Sequence, residues 1–295
     1  MPSTSAFSPT TRAALWMLGW LTLMVTIAVA GREASRELAL FQIMLMRSCI
    51  GIVLLAPLVR RAGGLAAVRT TQLRWHALRN AVHYAAQYGW FAALALIPLA
   101  QVVAIEFTMP IWTALLAAAF LGERLSRGKV GAALLGLVGV ALIVKPAAGD
   151  VGAGQWIALG AAIGFAVSLT LTKRLTRTDS PVAIIFWMLI VQSLIGLVPA
   201  LLSWRWPSTA AWGWVLLIAF CGTYSHYCMT NALRHAEATL VVPMDFIRVP
   251  LTALAGWLIY GERVDLLAVA GTALILAANV LNLRRAPVAA RERVA

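Results

Sequence analysis

Charge is what this chain has least of. Of its 295 residues only 12% are charged while 61% are hydrophobic. A soluble globular chain carries roughly a quarter charged and about half apolar residues. So few charges cannot cover a water-facing surface of this size. A bilayer removes the need, because each spanning helix takes about 20 apolar residues. Cysteine is scarce as well: Cys49, Cys221 and Cys228 all lie in apolar runs. Cys221 and Cys228 share a helix face but stand about 10 Å apart along the axis, too far for a disulfide. No CxxC or Cys/His cluster is present, so neither a metal nor a cofactor is expected. The absence of GxSxG, HExxH and paired catalytic aspartates argues against an enzyme, and the absence of a Walker A sequence argues against ATP drive. The formal net charge of +13 would suggest nucleic acid in a soluble protein. Here the basic residues sit between apolar runs, not along a groove interleaved with stacking aromatics, which excludes that partner.

What is present is a series of apolar runs. Reading them between charges gives ten expected spans: 14–31, 39–59, 75–95, 98–121, 129–145, 154–172, 181–202, 211–233, 237–260 and 265–283. Ala28-Val29-Ala30 imitates a signal-peptidase site, but the run before it is long and has a counterpart in the second half, so it is expected to stay as a helix. Lys and Arg concentrate in cytoplasmic loops. With the N-terminus inside, 17 of the 24 basic residues fall on the cytoplasmic side, 5 outside, and Arg47 and Arg248 within spans. Both termini are therefore expected in the cytoplasm, with membrane lipid around the spans.

The chain also repeats itself. Gly122-Glu123-Arg124 recurs as Gly261-Glu262-Arg263, and the same offset pairs Tyr88 with Tyr227, Glu106-Phe107 with Asp245-Phe246 and Thr113-Ala114-Leu115 with Thr252-Ala253-Leu254. A slightly longer offset pairs Phe41 with Phe186, Ser48 with Ser193 and Ile50-Gly51 with Ile195-Gly196, and the first span separately matches the sixth through Leu18-Gly19 and Leu159-Gly160. Two units of five spans each follow, and an odd number inverts the second in the membrane. The expected architecture is an all-α polytopic membrane protein: ten transmembrane helices as two inverted five-helix repeats around a central cavity. The first repeat would cover 1–146, the second 147–285, and a basic cytoplasmic tail 286–295.

Pro98-Leu99-Ala100, Pro110, Leu121-Gly122-Glu123-Arg124, the glycines Gly131, Gly136 and Gly139 before Lys145-Pro146, and in the second half Pro243-Met244-Asp245-Phe246-Ile247-Arg248 with Gly256-Trp257 and Gly261-Glu262-Arg263 form an ordered, duplicated pattern. It resembles the EamA-type drug/metabolite transporters, with the YddG-like amino-acid-exporter branch as the nearest functional analogy. One departure is that Met24-Val25-Thr26 stands where many relatives carry Trp followed by a small residue. The resemblance implies a ten-helix basket with a central substrate cavity. It also implies a secondary transporter that exports or exchanges small metabolites, amino acids first, across the inner membrane. Uptake of a vitamin, nucleoside or S-adenosylmethionine-like solute is the alternative.

Within the spans, Arg47, Glu106, Asp245 and Arg248 are costly charges that sum to zero. Asp245 and Arg248 are spaced to pair on one helix face. Glu106 has Met109 where a basic partner would stand, so Arg47 is expected to neutralise it. These groups either contact a zwitterionic substrate and move protons, or form charge-paired scaffolding. The third span carries His83, Tyr84, Gln87, Tyr88 and Phe91, with positions 80, 84, 87 and 91 in one polar-aromatic stripe at helical spacing, and Tyr224, Tyr227 and Asn231 lie on the eighth. Both groups are expected to line the substrate cavity, with Tyr88 and Tyr227 approaching a pseudo-two-fold axis from opposite sides; interhelical hydrogen bonding is the competing role. Pro98, Pro110, Pro243 and Pro250 interrupt the fourth and ninth spans and are candidate hinges. The Gly-Glu-Arg corners read as structural, the glutamate accepting from the N–H groups that open the next helix. Most tryptophans fall near span ends and read as interfacial anchors. Gly160, Gly164 and Ser168 form a small-residue stripe that suits packing within one basket better than a dimer seam, favouring a monomer over a homodimer.

Overall fold

The computed structural model describes residues 9–121, 127–144, 152–175, 177–235, 244–263 and 265–284. Among these, the ordered elements are all helical. We number the α-helices α1 (Pro9–Ser35), α2 (Leu40–Arg61), α3 (Leu73–Leu96), α4 (Leu99–Glu106), α5 (Met109–Leu121), α6 (Arg127–Val144), α7 (Ala153–Leu175), α8 (Pro181–Leu202), α9 (Thr209–His235), α10 (Arg248–Tyr260) and α11 (Leu266–Arg284). A short 3-10 helix, Gly64–Val68, follows α2. The corner at Gly122-Glu123-Arg124, the stretch containing Pro243, Lys145-Pro146 and the basic tail lie outside the described residues.

Local sequence explains the helix limits. Pro181 opens α8 where a missing N–H costs nothing, and the Ser180 hydroxyl accepts from Ala183 N–H at 3.2 Å. By length and hydropathy, the stretches Thr10–Ser35, Leu40–Arg61, Ala153–Thr172 and Pro181–Leu202 suffice to cross a membrane. The helices α3 and α9, of 24 and 27 residues, also have spanning length and carry the polar stripes.

The fourth apolar run is two helices, not the single span expected from its length. It breaks at Phe107-Thr108. Pro110 has no N–H to offer the carbonyl four residues back, that of Glu106. Thr108 occupies the turn, its hydroxyl donating to Ile105 C=O at 2.7 Å. The ninth run breaks at Phe246-Ile247, just before α10. Pro250 likewise withholds a donor from Phe246 C=O, which accepts from Val249 N–H at 3.2 Å instead. The two breaks coincide under the offset that pairs Glu106-Phe107 with Asp245-Phe246. Pro98 plays a different part: it is the N-cap of α4, outside the helix interior.

The most extensive helix contacts are α1 with α9, α2 with α8, α3 with α7, and α6 with α11. Each joins the first half of the chain to the second. The main core runs from α1, α2, α3 and α4, around Met44, Phe91, Leu94, Leu99 and Ile105, into the second half through Ala161 of α7 and Val215 and Ile218 of α9. Gly164 packs on Ala86 of α3, while Gly160 faces open space. On α6 and α11, Gly139 and Gly271 approach so closely that each blocks a side chain on the other. A Cβ on Gly139 would lie 2.6 Å from Gly271 O, and one on Gly271 2.5 Å from Gly139 O.

The Gly261-Glu262-Arg263 corner is structural in a way its sequence position did not indicate. Gly261 adopts φ 63°, the left-handed conformation glycine tolerates at a helix end. Glu262 does accept from a helix-opening N–H, but from Leu99, at 3.1 Å, which opens α4 in the other half. It also pairs with Arg32.

At the opposite ends of α3 and α7, Asp179 ties the α7–α8 turn to the start of α3. His76 Nε2 lies 2.6 Å from Asp179 Oδ2, and Thr70 Oγ1 donates to the same oxygen at 2.5 Å. Burial would raise the Asp179 carboxyl, but the hydrogen bonds from His76 and Thr70 outweigh it and hold the group below its usual value.

Two outcomes follow. Gly139→Leu or Gly271→Leu overfills the α6–α11 crossing and should destabilise by about 1–3 kcal/mol, read as a lower melting temperature in detergent. Gly131→Ala, which meets nothing within 4 Å, should leave it unchanged. The depressed Asp179 carboxyl contributes stability that is complete above its unfolded value, about 3.9, and fades as pH falls through the lower folded value. Melting curves of Asp179→Asn should therefore lose part of the wild-type decline below pH about 4.

Candidate functional site

The two helix breaks meet. Arg248, the first residue of α10, is 3% exposed and lies between carboxylates from both halves. Its Nη2 donates to Glu106 Oε1 at 2.9 Å, and its Nη1 lies 3.3 Å from Glu106 Oε2. Its Nε stands 3.3 Å from Asp245 Oδ1. The guanidinium also lies over the Phe107 ring, 4.8 Å from the centroid. The remaining carboxylate valence goes to indoles. Trp90 Nε1 on α3 donates to Glu106 at 2.9 Å, and Trp20 Nε1 on α1 donates to Asp245 at 2.6 Å. Such charge-assisted bonds are stronger than neutral ones.

This differs from the pairing expected for Glu106. Its partner is Arg248, and Arg47 does not reach it. Local spacing revealed the Asp245–Arg248 pair but not the contact across halves. Trp20 and Trp90, which the sequence reading did not single out as site residues, are 8% and 6% exposed and bond the carboxylates. No signal in the linear sequence marked them, because a tryptophan's partner is set by tertiary packing. Exposed Trp156, Trp206 and Trp257 do fit the anchor role.

Arg47 belongs to a second polar cluster, where α2, α3 and α8 meet. Its Nη2 lies 3.5 Å from Gln192 Oε1, and Gln192 Nε2 lies 2.8 Å from His83 Nδ1. Gln192 is a member that the sequence reading missed. The Tyr88 ring lies against Phe41 at 4.6 Å between centroids, tilted by 33°, and Tyr84 is nearly parallel to the same ring at 6.4 Å. Gly196 on α8 makes room for the Tyr84 hydroxyl, since a Cβ there would lie 2.7 Å from it. Ser48 Oγ, Tyr84 OH and Gln87 Oε1 are buried without a hydrogen-bond partner among the described residues. Buried polar atoms are usually paired, so these three orphans, on α2 and α3, are polar groups still open to a partner.

The structure thus places His83 with Gln192, and Tyr84 and Tyr88 against Phe41. It does not bring the α9 residues to them. Tyr224 meets Phe220, at 4.6 Å. Tyr227 is half-exposed and sits edge-on to Trp16 of α1 at 5.8 Å. Asn231 donates to Tyr227 C=O at 2.9 Å, within its own helix. The expected approach of Tyr88 and Tyr227 is therefore not realised, because α9 turns that face toward α1.

Removing Arg248 would leave two buried carboxylates without a cation, which costs about 3–5 kcal/mol. Arg248→Ala should sharply lower the melting temperature in detergent. The triple variant Glu106→Gln/Asp245→Asn/Arg248→Met, which removes every charge, should recover most of the loss.

The profile of the EamA-like transporter family matches residues 11–145 and, separately, residues 152–284. Three curated relatives are similar over most of their length. A riboflavin transporter of Vibrio cholerae is 29% identical over 255 residues, 85% of each chain. An S-adenosylmethionine uptake transporter of Rickettsia bellii is 23% identical over 267 residues, 89% of this chain and 91% of the relative. The pseudopaline exporter CntI of Pseudomonas aeruginosa is 29% identical over 252 residues, 84% of this chain and 88% of the relative.

Proposed function

The chain belongs to the EamA-like transporter family, and from that premise we propose that it is a secondary transporter for a solute with a planar aromatic ring and polar edges. It is an integral protein of the bacterial inner membrane that carries small molecules. The finer reading is ours: ten spans in two inverted five-helix halves, 1–146 and 147–285, with both termini cytoplasmic and alternating access around the helix breaks. The matching breaks, the paired helices of the two halves and the 17-to-5 charge bias support that plan.

What supports the solute class is the contact of Phe41 with Tyr84 and Tyr88, with the unpartnered oxygens of Ser48, Tyr84 and Gln87 on the same two helices. Rings supply stacking area, and the orphaned groups supply directional recognition of an edge. Riboflavin and S-adenosylmethionine, the solutes of two relatives, both present a fused heteroaromatic ring with hydrogen-bonding edges. A vitamin or nucleoside-like solute thus moves ahead of the amino acids that the sequence placed first. Export of aromatic amino acids is the second reading, and the Glu106–Arg248–Asp245 cluster favours it, since a zwitterion can meet both signs of charge there.

Reconstituted protein in liposomes should show saturable flux of labelled riboflavin, with Tyr88→Ala raising the half-saturation concentration about tenfold, equivalent to about 1.4 kcal/mol. Flux of phenylalanine or tryptophan alone would select the second reading. Flux of neither class, tested in both directions, would overturn both.

A further inference from the structure

At the end of the bundle where α1 and α3 finish, one arginine holds three elements together. Arg32, in the last turn of α1, donates through Nε to Leu94 C=O and through Nη2 to Ile97 C=O, at the end of α3. Its Nη1 donates to Glu262 Oε1, beyond the end of α10. The other Glu262 oxygen accepts from Leu99 N–H, the first residue of α4. Arg32 lies over the Tyr260 ring, 4.7 Å from its centroid. The two charged side chains are 13% and 16% exposed, so the pair is neither free in water nor sealed in the core.

Two cavities meet at this clasp. One, of about 480 Å³, is lined by Arg32, Ser35, Arg36 and Tyr260. The other, of about 350 Å³, runs along the broken-helix side and is lined by Gln101, Val249, Pro250 and Thr272. Pro98 and Glu262 line both. The two cavities therefore adjoin at Glu262, the acidic half of the clasp, and at Pro98, which caps α4. On the second side, Gln101 Oε1 is buried without a partner among the described residues.

The helix α4 is mechanically suited to move when the clasp opens. Its C-terminal residue Glu106 stays tied to Arg248, and the break at Phe107-Thr108 frees it from α5. Its N-terminus is held by Glu262, an anion at the positive end of a helix. If Glu262 lets go, Arg32 still has the α3 carbonyls to satisfy, so opening does not strand its remaining donors. The charge bias of the loops places this end outside the cytoplasm.

We propose that the Arg32–Glu262 pair is the outer gate of the transporter, closed in this structure, whose release pivots α4 about residues 107–108 and joins the two cavities into one passage. This rests on the transporter reading above, but its test needs no transported solute, so the two fail separately. In a Cys49→Ser/Cys228→Ser background, Gln101→Cys serves as the reporter, and buried Cys221 is the internal control. A membrane-impermeant maleimide is added to intact cells. Glu262→Gln keeps an oxygen for Leu99 N–H and removes only the charge, and Arg32→Gln breaks the same pair from the other side. Each should speed labelling of the reporter about tenfold while Cys221 stays unlabelled. An unchanged reporter rate, acceleration by only one of the two variants, or simultaneous labelling of Cys221 would overturn the gate.

Discussion

A guanidinium that is 3% exposed within an apolar bundle must be neutralised where it stands, and much of the central architecture follows from how Arg248 meets that requirement. Its two carboxylates come from different halves of the chain. Glu106 can reach it only because α4 stops there, and Arg248 itself is available only because α10 starts there. The breaks, the prolines just beyond them and the two indole donors are thus parts of one arrangement. A continuous helix in either place would carry its carboxylate past the guanidinium.

The same arrangement makes α4 and α10 an antiparallel pair fastened at both ends. Arg248 opens α10 and holds the end of α4; Glu262 follows α10 and holds the start of α4. One fastening centres on an arginine side chain that is 4% exposed and is shared among five side chains, while the other joins an arginine and a glutamate that are 13% and 16% exposed. In the proposed gate the first would act as the fixed point and the second as the free one. Under the proposed function and the proposed gate, solute contact and helix movement would fall to different residues, although α3 touches both fastenings through Trp90, Leu94 and its C-cap Ile97.

What the sequence revealed was set by local spacing. Apolar runs gave the helices, prolines marked where two would fail, and an i,i+3 interval gave the Asp245–Arg248 contact. The α3 stripe was legible because helical spacing puts positions 80, 84, 87 and 91 on one side. The misreadings all concern partners distant in the chain. Glu106 met Arg248 and not Arg47; Glu262 capped α4 and not the helix after it; Tyr227 turned to Trp16 and not Tyr88. Residue type stated that each group needed a partner, and only packing determined which one it received. Gln192 went unnoticed because one amide in an apolar run has no spacing to betray it.

The four principal helix contacts also bear on how the protein is made. α1 waits for α9, α2 for α8, α3 for α7 and α6 for α11. Synthesis runs from the N-terminus, so each of these early helices enters the bilayer before its main companion has left the ribosome. Arg47 and His83 are then in place while Gln192 is still unmade, and the Gly139 face remains uncovered until the last helix arrives. An unfinished chain therefore displays polar groups and a bare glycine seam that the finished one conceals. That difference gives a membrane protease or chaperone a physical basis for telling the two apart.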